Sequence, residues 1–564
     1  MDGELAADCA GAYDPTRRSC GAGSDDAFAG LQGGLDVLAP GDTLWIRGGS
    51  YDEQLAPTQS GSPDAEITIA AYDDESVALT GIGEPALWIV GRAHLTIRDL
   101  EVNDCLGFGR LEDTEHITIE NNRFVTAQSS GTTGALKLVR ADFTTVRGNH
   151  LEDAADNMVV QESEHTLVQD NNFFRASHSL LSIRCSSFNV VRSNTFDNPD
   201  QKAAEIYDCE GVSDAPFELD ATKRNLFEGN AFVHTLGSDE SYRYNGIQYA
   251  GQTGIVRNNV FTDNLGGGLA FQVYPDEALH NYEQRAYNNT FVDNWCYGIS
   301  ASGNDAKTYY DNRVQNNLLL GNLDCAGAPS QTAIGNAKAV VLSDNAELED
   351  DPGFVDADAL DFRLVESSDM VDAGVFVTQT VRAGRGQIMG VQDARYFYDG
   401  FELPGEPGDV VMLDGSRESA RITAIDLATH TLSLDAPLTW SAGQGVHVAY
   451  AGAAPDMGAF EHGLEEPGGG DDGDDDDDGA DSTGDGAADS TQGGADAGGD
   501  GDDGPSADGP LTSSGGTGTD GGQAAGGDGG DDGGCACSQS DQRGTGRFAI
   551  VLLMFAVLGA RRRR

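Results

Sequence analysis

Val168-Gln-Asp-Asn-Asn-Phe173, Val191-Arg-Ser-Asn-Thr-Phe196 and Val256-Arg-Asn-Asn-Val-Phe261 are copies of one phrase: an apolar residue, two variable residues, an asparagine, one more residue, then usually Phe. Eight copies begin at Ile119, Val146, Val168, Val191, Phe227, Val256, Ala286 and Val314. Their asparagines are Asn122, Asn149, Asn171, Asn194, Asn230, Asn259, Asn289 and Asn317, at intervals of 27, 22, 23, 36, 29, 30 and 28 residues. A period of this length marks stacked supersecondary units, each too thin to bury its apolar face alone. Between the asparagines, Leu95-Thr-Ile-Arg-Asp-Leu-Glu-Val102, Ile117-Thr-Ile119 and Leu136-Lys-Leu138 alternate apolar and polar residues, the strand pattern. No sustained 3.6-residue stripe competes with it. Short strands separated by turns in each repeat describe one coil of a parallel β-helix. Asn suits its turn because it tolerates left-handed geometry, and stacked amides can bond along a ladder with a strand spacing of about 4.8 Å.

From about Leu35 to Phe460 the pattern resembles the right-handed parallel β-helix proteins of the pectate-lyase-like superfamily. The phrases carrying the resemblance are Pro40-Gly-Asp-Thr-Leu-Trp-Ile-Arg-Gly-Gly-Ser-Tyr51 and Ile67-Thr-Ile-Ala-Ala-Tyr72 at the start. Asp351-Pro-Gly-Phe-Val355, Met370-Val-Asp-Ala-Gly374 and Asp456-Met-Gly-Ala-Phe-Glu461 carry it at the end. The expected fold is all-β: a right-handed parallel β-helix solenoid with a small antiparallel β insertion near its C-terminal end, then a disordered acidic tail and a short hydrophobic helix. The expected divisions are a cap over 1–34, coils over 35–350, and further coils over 351–462 interrupted by a β-meander at about 400–450. A Gly/Asp-rich linker over 463–534 and an anchor segment over 535–564 complete the chain. The meander, read from Val410-Val-Met-Leu413, Ala420-Arg-Ile-Thr-Ala-Ile-Asp426, Thr431-Leu-Ser-Leu434 and Gly445-Val-His-Val-Ala-Tyr450, is expected to cap the open end of the solenoid.

The formal net charge is −59, and residues 465–541 carry only 22 of the 93 acidic side chains, so the body is acidic in its own right. That excludes nucleic acid as a natural partner, because its phosphates would be repelled. Motifs for nucleotides, flavins and haem are absent. Of nine cysteines, Cys9 and Cys20 bracket a turn-rich segment and are placed to staple the cap. Cys185 and Cys209, at similar heights on adjacent coils, read either as a disulfide or as small apolar fillers, with the second preferred.

Outward-facing columns follow from counting back from each asparagine. Leu136 and Leu138, Met158 and Val160, Leu181 and Ile183, and Ala204 and Ile206 face inward. Lys137 and Val139, Val159 and Gln161, Ser182 and Arg184, and Glu205 and Tyr207 face outward, with Gln248 and Gln272 continuing the face. His178 and Lys202 open two of these strands, Asp208 and Glu210 follow the second, and the longest interval supplies extra residues beside them. Tyr249 belongs to an aromatic segment suited to sugar contact. The resemblance makes this face a candidate for binding and β-eliminative cleavage of an acidic polysaccharide. That chemistry needs the uronate carboxylate neutralised, by cations or Ca²⁺, and a base for the α-proton. Arg184, Lys202, Glu205, Tyr207 and His178 are the catalytic candidates; Lys137, Gln161, Gln248, Tyr249 and Gln272 the substrate-binding ones; Glu205, Asp208 and Glu210 the candidate Ca²⁺ ligands. A glycoside hydrolase pairing Glu205 with Asp208 or Glu210 is a weaker variant. No catalytic motif of the superfamily matches residue by residue, so a non-enzymatic surface adhesin, carbohydrate-binding or spacer protein is the alternative. A groove at Arg184, Lys202 and Glu205 would favour the enzyme, and a flat, fully paired face the spacer.

Beyond the linker, Cys535-Ala-Cys537, the apolar run Phe548–Ala560 and Arg561 to Arg564 resemble the myxobacterial C-terminal sorting tag. The resemblance implies a protein displayed at the cell surface, contacting the membrane through its tail, with Cys535 or Cys537 as the attachment residue; a monomer is expected. Export needs an N-terminal signal, whereas Met1-Asp-Gly-Glu4 has neither a basic start nor an apolar run. Translation is therefore expected to begin upstream of Met1; N-terminal sequencing of the product of the upstream-extended gene, finding a start at Met1, would refute this.

Overall fold

The computed structural model describes residues 1–207, 209, 222–235, 244–272, 280–301, 308–333 and 340–464. Its dominant feature is the stacking of the repeat asparagines. Each backbone N–H and each side-chain amide from Asn122 to Asn317 donates to the Oδ1 of the asparagine one coil on, at 2.8–3.1 Å. A ninth member, Asn345, ends the ladder. The second amide hydrogen donates to a carbonyl of the preceding coil, as from Asn230 to Val191 and from Asn259 to Phe227. The left-handed position of this turn is taken not by the ladder asparagine but by the residue before it: Asn121, Gly148, Asp170, Ser193, Gly229, Asn258, Asn288, Asn316 and Asp344. The ladder side chains are thereby free to turn inward, where those of Asn122 to Asn317 are buried.

Two residues after each ladder position, the rings of Phe173, Phe196, Phe232, Phe261 and Phe291 form a continuous stack with centroids 4.7–4.9 Å apart. The burial of each Phe contributes about 1.5–3 kcal/mol. A second polar ladder, Thr235, Asn264, Asn294, Asn322 and Gln331, runs beside this stack. Its signal in the sequence is an asparagine five residues after Asn259, Asn289 and Asn317.

Three columns of parallel strands share one hydrogen-bonded sheet running from Thr43–Ile46 to Ala346–Leu348. The helix Leu31–Asp36 closes the first coil, with Leu31 and Leu35 in the core and Gly34 close against Leu44. Before it lies a small antiparallel sheet containing the Cys9–Cys20 disulfide.

Two expectations need correction. The parallel coils stop at Leu348, so 351–462 is not a run of further coils. It forms a hairpin of Phe354–Asp356 with Asp361–Leu364 and then a six-stranded antiparallel sheet, which includes all four segments read as a meander. That sheet also does not cap the solenoid. It lies along the flank, against outward-facing Leu167, Val190, Leu226, Ile255 and Tyr287 on successive coils. The reason is visible in those residues: each would leave an apolar side chain in water unless a second layer covered it. Buried ion pairs complete the contact, with Arg257 bidentate on Asp409 at 2.6 and 2.8 Å and Arg285 on Asp393 at 2.6 and 3.0 Å.

Replacing one ladder side chain orphans several buried groups. Asn230→Ala strips the acceptor from the Asn194 backbone N–H and amide, and the donor from Val191 and Asn259. A destabilisation of about 3 kcal/mol or more is expected, read as a lower denaturant midpoint.

Candidate functional site

Three adjacent strands of one column, His150–Gln161, Asn172–Arg184 and Lys202–Tyr207, build a charged cluster on the outer face. Their register sets Val159, Ser182 and Glu205 side by side, with Gln161, Arg184 and Tyr207 alongside. All the residues assigned inward between Leu136 and Ile206 lie in the core. The alternation is therefore correct for these inward residues.

Glu205 is the centre and is 0% exposed. Its Oε2 contacts the Lys202 ammonium and accepts from the Tyr207 hydroxyl. Its Oε1 accepts from Ser182 at 3.2 Å and lies 3.6 Å from Arg184 and 3.8 Å from His178. Arg184 also donates to Ser182 at 2.8 Å and lies over the Tyr207 ring at 5.3 Å. Burial by itself would raise the Glu205 pKa, but Lys202, His178 and Arg184 together hold it well below the usual carboxylate range. For His178, burial favours the neutral ring. The bond to Asp156, 2.7 Å from Nδ1, and the charge of Glu205 outweigh it and raise the pKa. The His178 side chain remains 38% exposed, so the ring can meet a ligand while its inner nitrogen is held.

Five predicted residues thus converge: His178, Arg184, Lys202, Glu205 and Tyr207. Two more, Asp156 and Ser182, complete the cluster. Asp156 escaped because alternation counted back from Met158 turns it inward, whereas its carboxylate bonds His178 Nδ1 at the start of the regular stretch of strand. Lys137 shares the column but sits three rungs from Glu205, about 14 Å at the strand spacing. Gln161 lies in register with Arg184 but is all but buried and donates to Glu162. Gln248 pairs with Glu205 as expected, but the column continues to Ala270, while Gln272 falls just past its strand. Tyr249 is a correction: its ring points into the core, bonded towards the Asn225 carbonyl, and cannot touch a ligand on the outer face. Asp208, Glu210, Cys535 and Cys537 lie outside the described residues. Cys185 and Cys209 form a disulfide rather than separate fillers, their Cα atoms brought to 4.3 Å across adjacent coils beside Arg184 and Tyr207. Cys296 and Cys325 form another.

Among the described residues the acidic groups around Glu205 do not by themselves make a Ca²⁺ site; the other two expected ligands, Asp208 and Glu210, lie outside those residues. Asp156, His178 and Glu205 bring one ligand atom each within 4.8 Å. Ca²⁺ requires six to eight oxygens, and both Glu205 oxygens already face Lys202, Arg184, Ser182 and Tyr207. A divalent ion would sit against two cations.

Residues 85–218 match the family described as "Right handed beta helix region". With the parallel registers above, this defines a right-handed parallel β-helix protein. Among solved structures the chain is similar to a family 6 polysaccharide lyase from Pseudopedobacter saltans, at 16% identity and TM-score 0.39 over 60% of this chain and 95% of that one. It is similar to a pectate lyase at 12% identity and TM-score 0.42, over 81% and 98%. A mannuronan C-5 epimerase module from Azotobacter vinelandii matches at 12% identity and TM-score 0.37, over 61% and 98%. No curated protein matches the sequence.

The cluster should act as one electrostatic unit. Glu205, with its depressed pKa, contributes stability above its ordinary value of 4.5 and loses it as pH falls. His178, with its raised pKa, contributes below 6.5 and loses it as pH rises through the folded value. Stability due to the cluster is therefore expected to peak in mild acid. Lys202→Met, which leaves the buried carboxylate without its nearest cation, should cost about 3–5 kcal/mol; denaturation across the pH range checks both.

Proposed function

We propose that this protein binds an acidic polysaccharide on the face of His178, Arg184 and Tyr207 and cleaves it by β-elimination without a bound metal. The observation that carries the reading is a partly exposed His178, backed by buried Asp156 and meeting Arg184 and Tyr207 around the shared Glu205 carboxylate. Arg184 holds the uronate carboxylate and so acidifies the neighbouring C5 proton. His178, once neutral, takes that proton at its outer nitrogen. The C4–O bond breaks with its electron pair leaving on oxygen, the Tyr207 hydroxyl protonates that oxygen, and a C4=C5 double bond remains in the product. Glu205, wholly enclosed, does not reach substrate; it holds Lys202, Arg184 and Tyr207 in place. A fully paired Glu205 is also what a non-catalytic carbohydrate-binding face would contain, which makes turnover the deciding measurement.

Display outside the cell belongs to the same reading. Three disulfides, Cys9–Cys20, Cys185–Cys209 and Cys296–Cys325, suit an oxidising compartment. The chain after Glu465 has the composition of a solvated tether followed by an apolar run and four arginines. Among the described residues no helix is long and apolar enough to cross a membrane; Cys535 and Cys537 are the attachment candidates, and loss of surface labelling in a Cys535→Ser, Cys537→Ser double variant is the check.

Incubation with a panel of uronate polymers should raise the ultraviolet absorbance of the unsaturated product equally with and without EDTA. The rate should increase with pH as His178 loses its proton. Tyr207→Phe and His178→Gln should each lower kcat on the order of 10²–10⁴-fold. A flat trace on every polymer, with binding retained, would leave the carbohydrate-binding role alone.

A further inference from the structure

The outer column that contains Glu205 continues in register through Ser182, Val159, Lys137 and Arg110 to Trp88. Five rungs separate Trp88 from Glu205, about 24 Å at the strand spacing. Trp88 is 38% exposed, flanked along its strand by core residues Leu87 and Ile89. The comparison with Trp45 is informative. Trp45 is similarly exposed at 41%, yet it is edge-on to Tyr72 and carries Arg98 over its ring. Among the described residues Trp88 has no such ring or cation partner. The next rung presents Arg110, held through Nε by Glu112 at 2.7 Å, its side chain 32% exposed. An indole without a ring or cation partner, one rung from a part-exposed Arg110 on a chain of net charge −59, suits an anionic sugar: the ring packs on the sugar's apolar face and the guanidinium meets a carboxylate.

We propose that Trp88 and Arg110 form a distal subsite for the same acidic polysaccharide, which lies along the solenoid axis from the His178 cluster to Trp88. This rests on the function proposed above and adds the length and direction of the ligand. The rung spacing is close to the rise of one pyranose in an extended chain, so the span takes about five sugars. A site of that length acts within long chains rather than on terminal units, and products shorter than the span are released.

Titration of the full chain with a long uronate polymer and with oligouronates too short to span five rungs tests this. The wild type should bind polymer more tightly than short chains. In Trp88→Ala, and separately in Arg110→Gln, the polymer-to-short ratio should fall about tenfold; thermal melting verifies folding of each variant. An undiminished ratio in both variants, with wild-type uronate binding intact, overturns the subsite and spares the proposed function. A wild type that binds no uronate of any length overturns both. Cleavage of wild-type polymer by successive loss of end units, rather than by an early fall in viscosity, also counts against the subsite.

Discussion

Everything in this molecule hangs on an amide that is buried and cannot be left unpaired. A ladder asparagine satisfies a backbone N–H, a side-chain amide and a carbonyl on neighbouring coils, and it does so only if the next coil supplies another asparagine at the same height. One amide therefore sets the register of two coils. The stacked Phe rings next to it add burial, but rings slide; the amides do not. Because register is fixed at this corner, the outer columns of the other strands are fixed too, and residues from three separate repeats meet at Glu205 without any contact of their own having to choose the alignment.

How far this was legible depended on how straight the chain runs. The asparagine phrase announces its coils because each copy must satisfy the same hydrogen bonds, and the inward pairs from Leu136 to Ile206 follow from alternation. Alternation fails at corners: it turns Asp156 inward with Met158 and so hid the partner of His178. Tyr249 shows the opposite fault, since strict alternation from Gln248 already turned its ring inward and aromatic character outweighed it. The flank sheet was readable as strands but not as a flank. Its signal was the apolar residue directly preceding each repeat phrase at Leu167, Val190, Leu226 and Ile255, a position that should face water. Pairing of Cys185 with Cys209 depends on a spatial approach that spacing alone does not reveal.

The Glu205 cluster illustrates how a solenoid makes a site. Enclosing a carboxylate costs several kcal/mol unless its charge is answered, and the answer here comes from two coils: Ser182, Arg184 and His178 on one, Lys202 and Tyr207 on its own. The enclosed charge orients these groups, while the side chains with outward exposure remain available. A rigid, satisfied interior anion and a partly exposed rim are two roles that one sheet face holds simultaneously.

The flank sheet alters how such a chain comes to be folded. A bare solenoid makes contacts mainly with its neighbouring coils, so coils can form or fray one at a time as the chain emerges. Here Arg285 waits for Asp393, 108 residues later, Arg257 for Asp409, 152 residues later, and His165 for the carbonyl of Phe401, 236 residues later. Until that last segment arrives, an apolar stripe and two buried-to-be arginines stay open to water. The coils of the middle region are consequently welded into one cooperative block at the cost of slow, high-contact-order closure, with an aggregation-prone seam exposed in the interval.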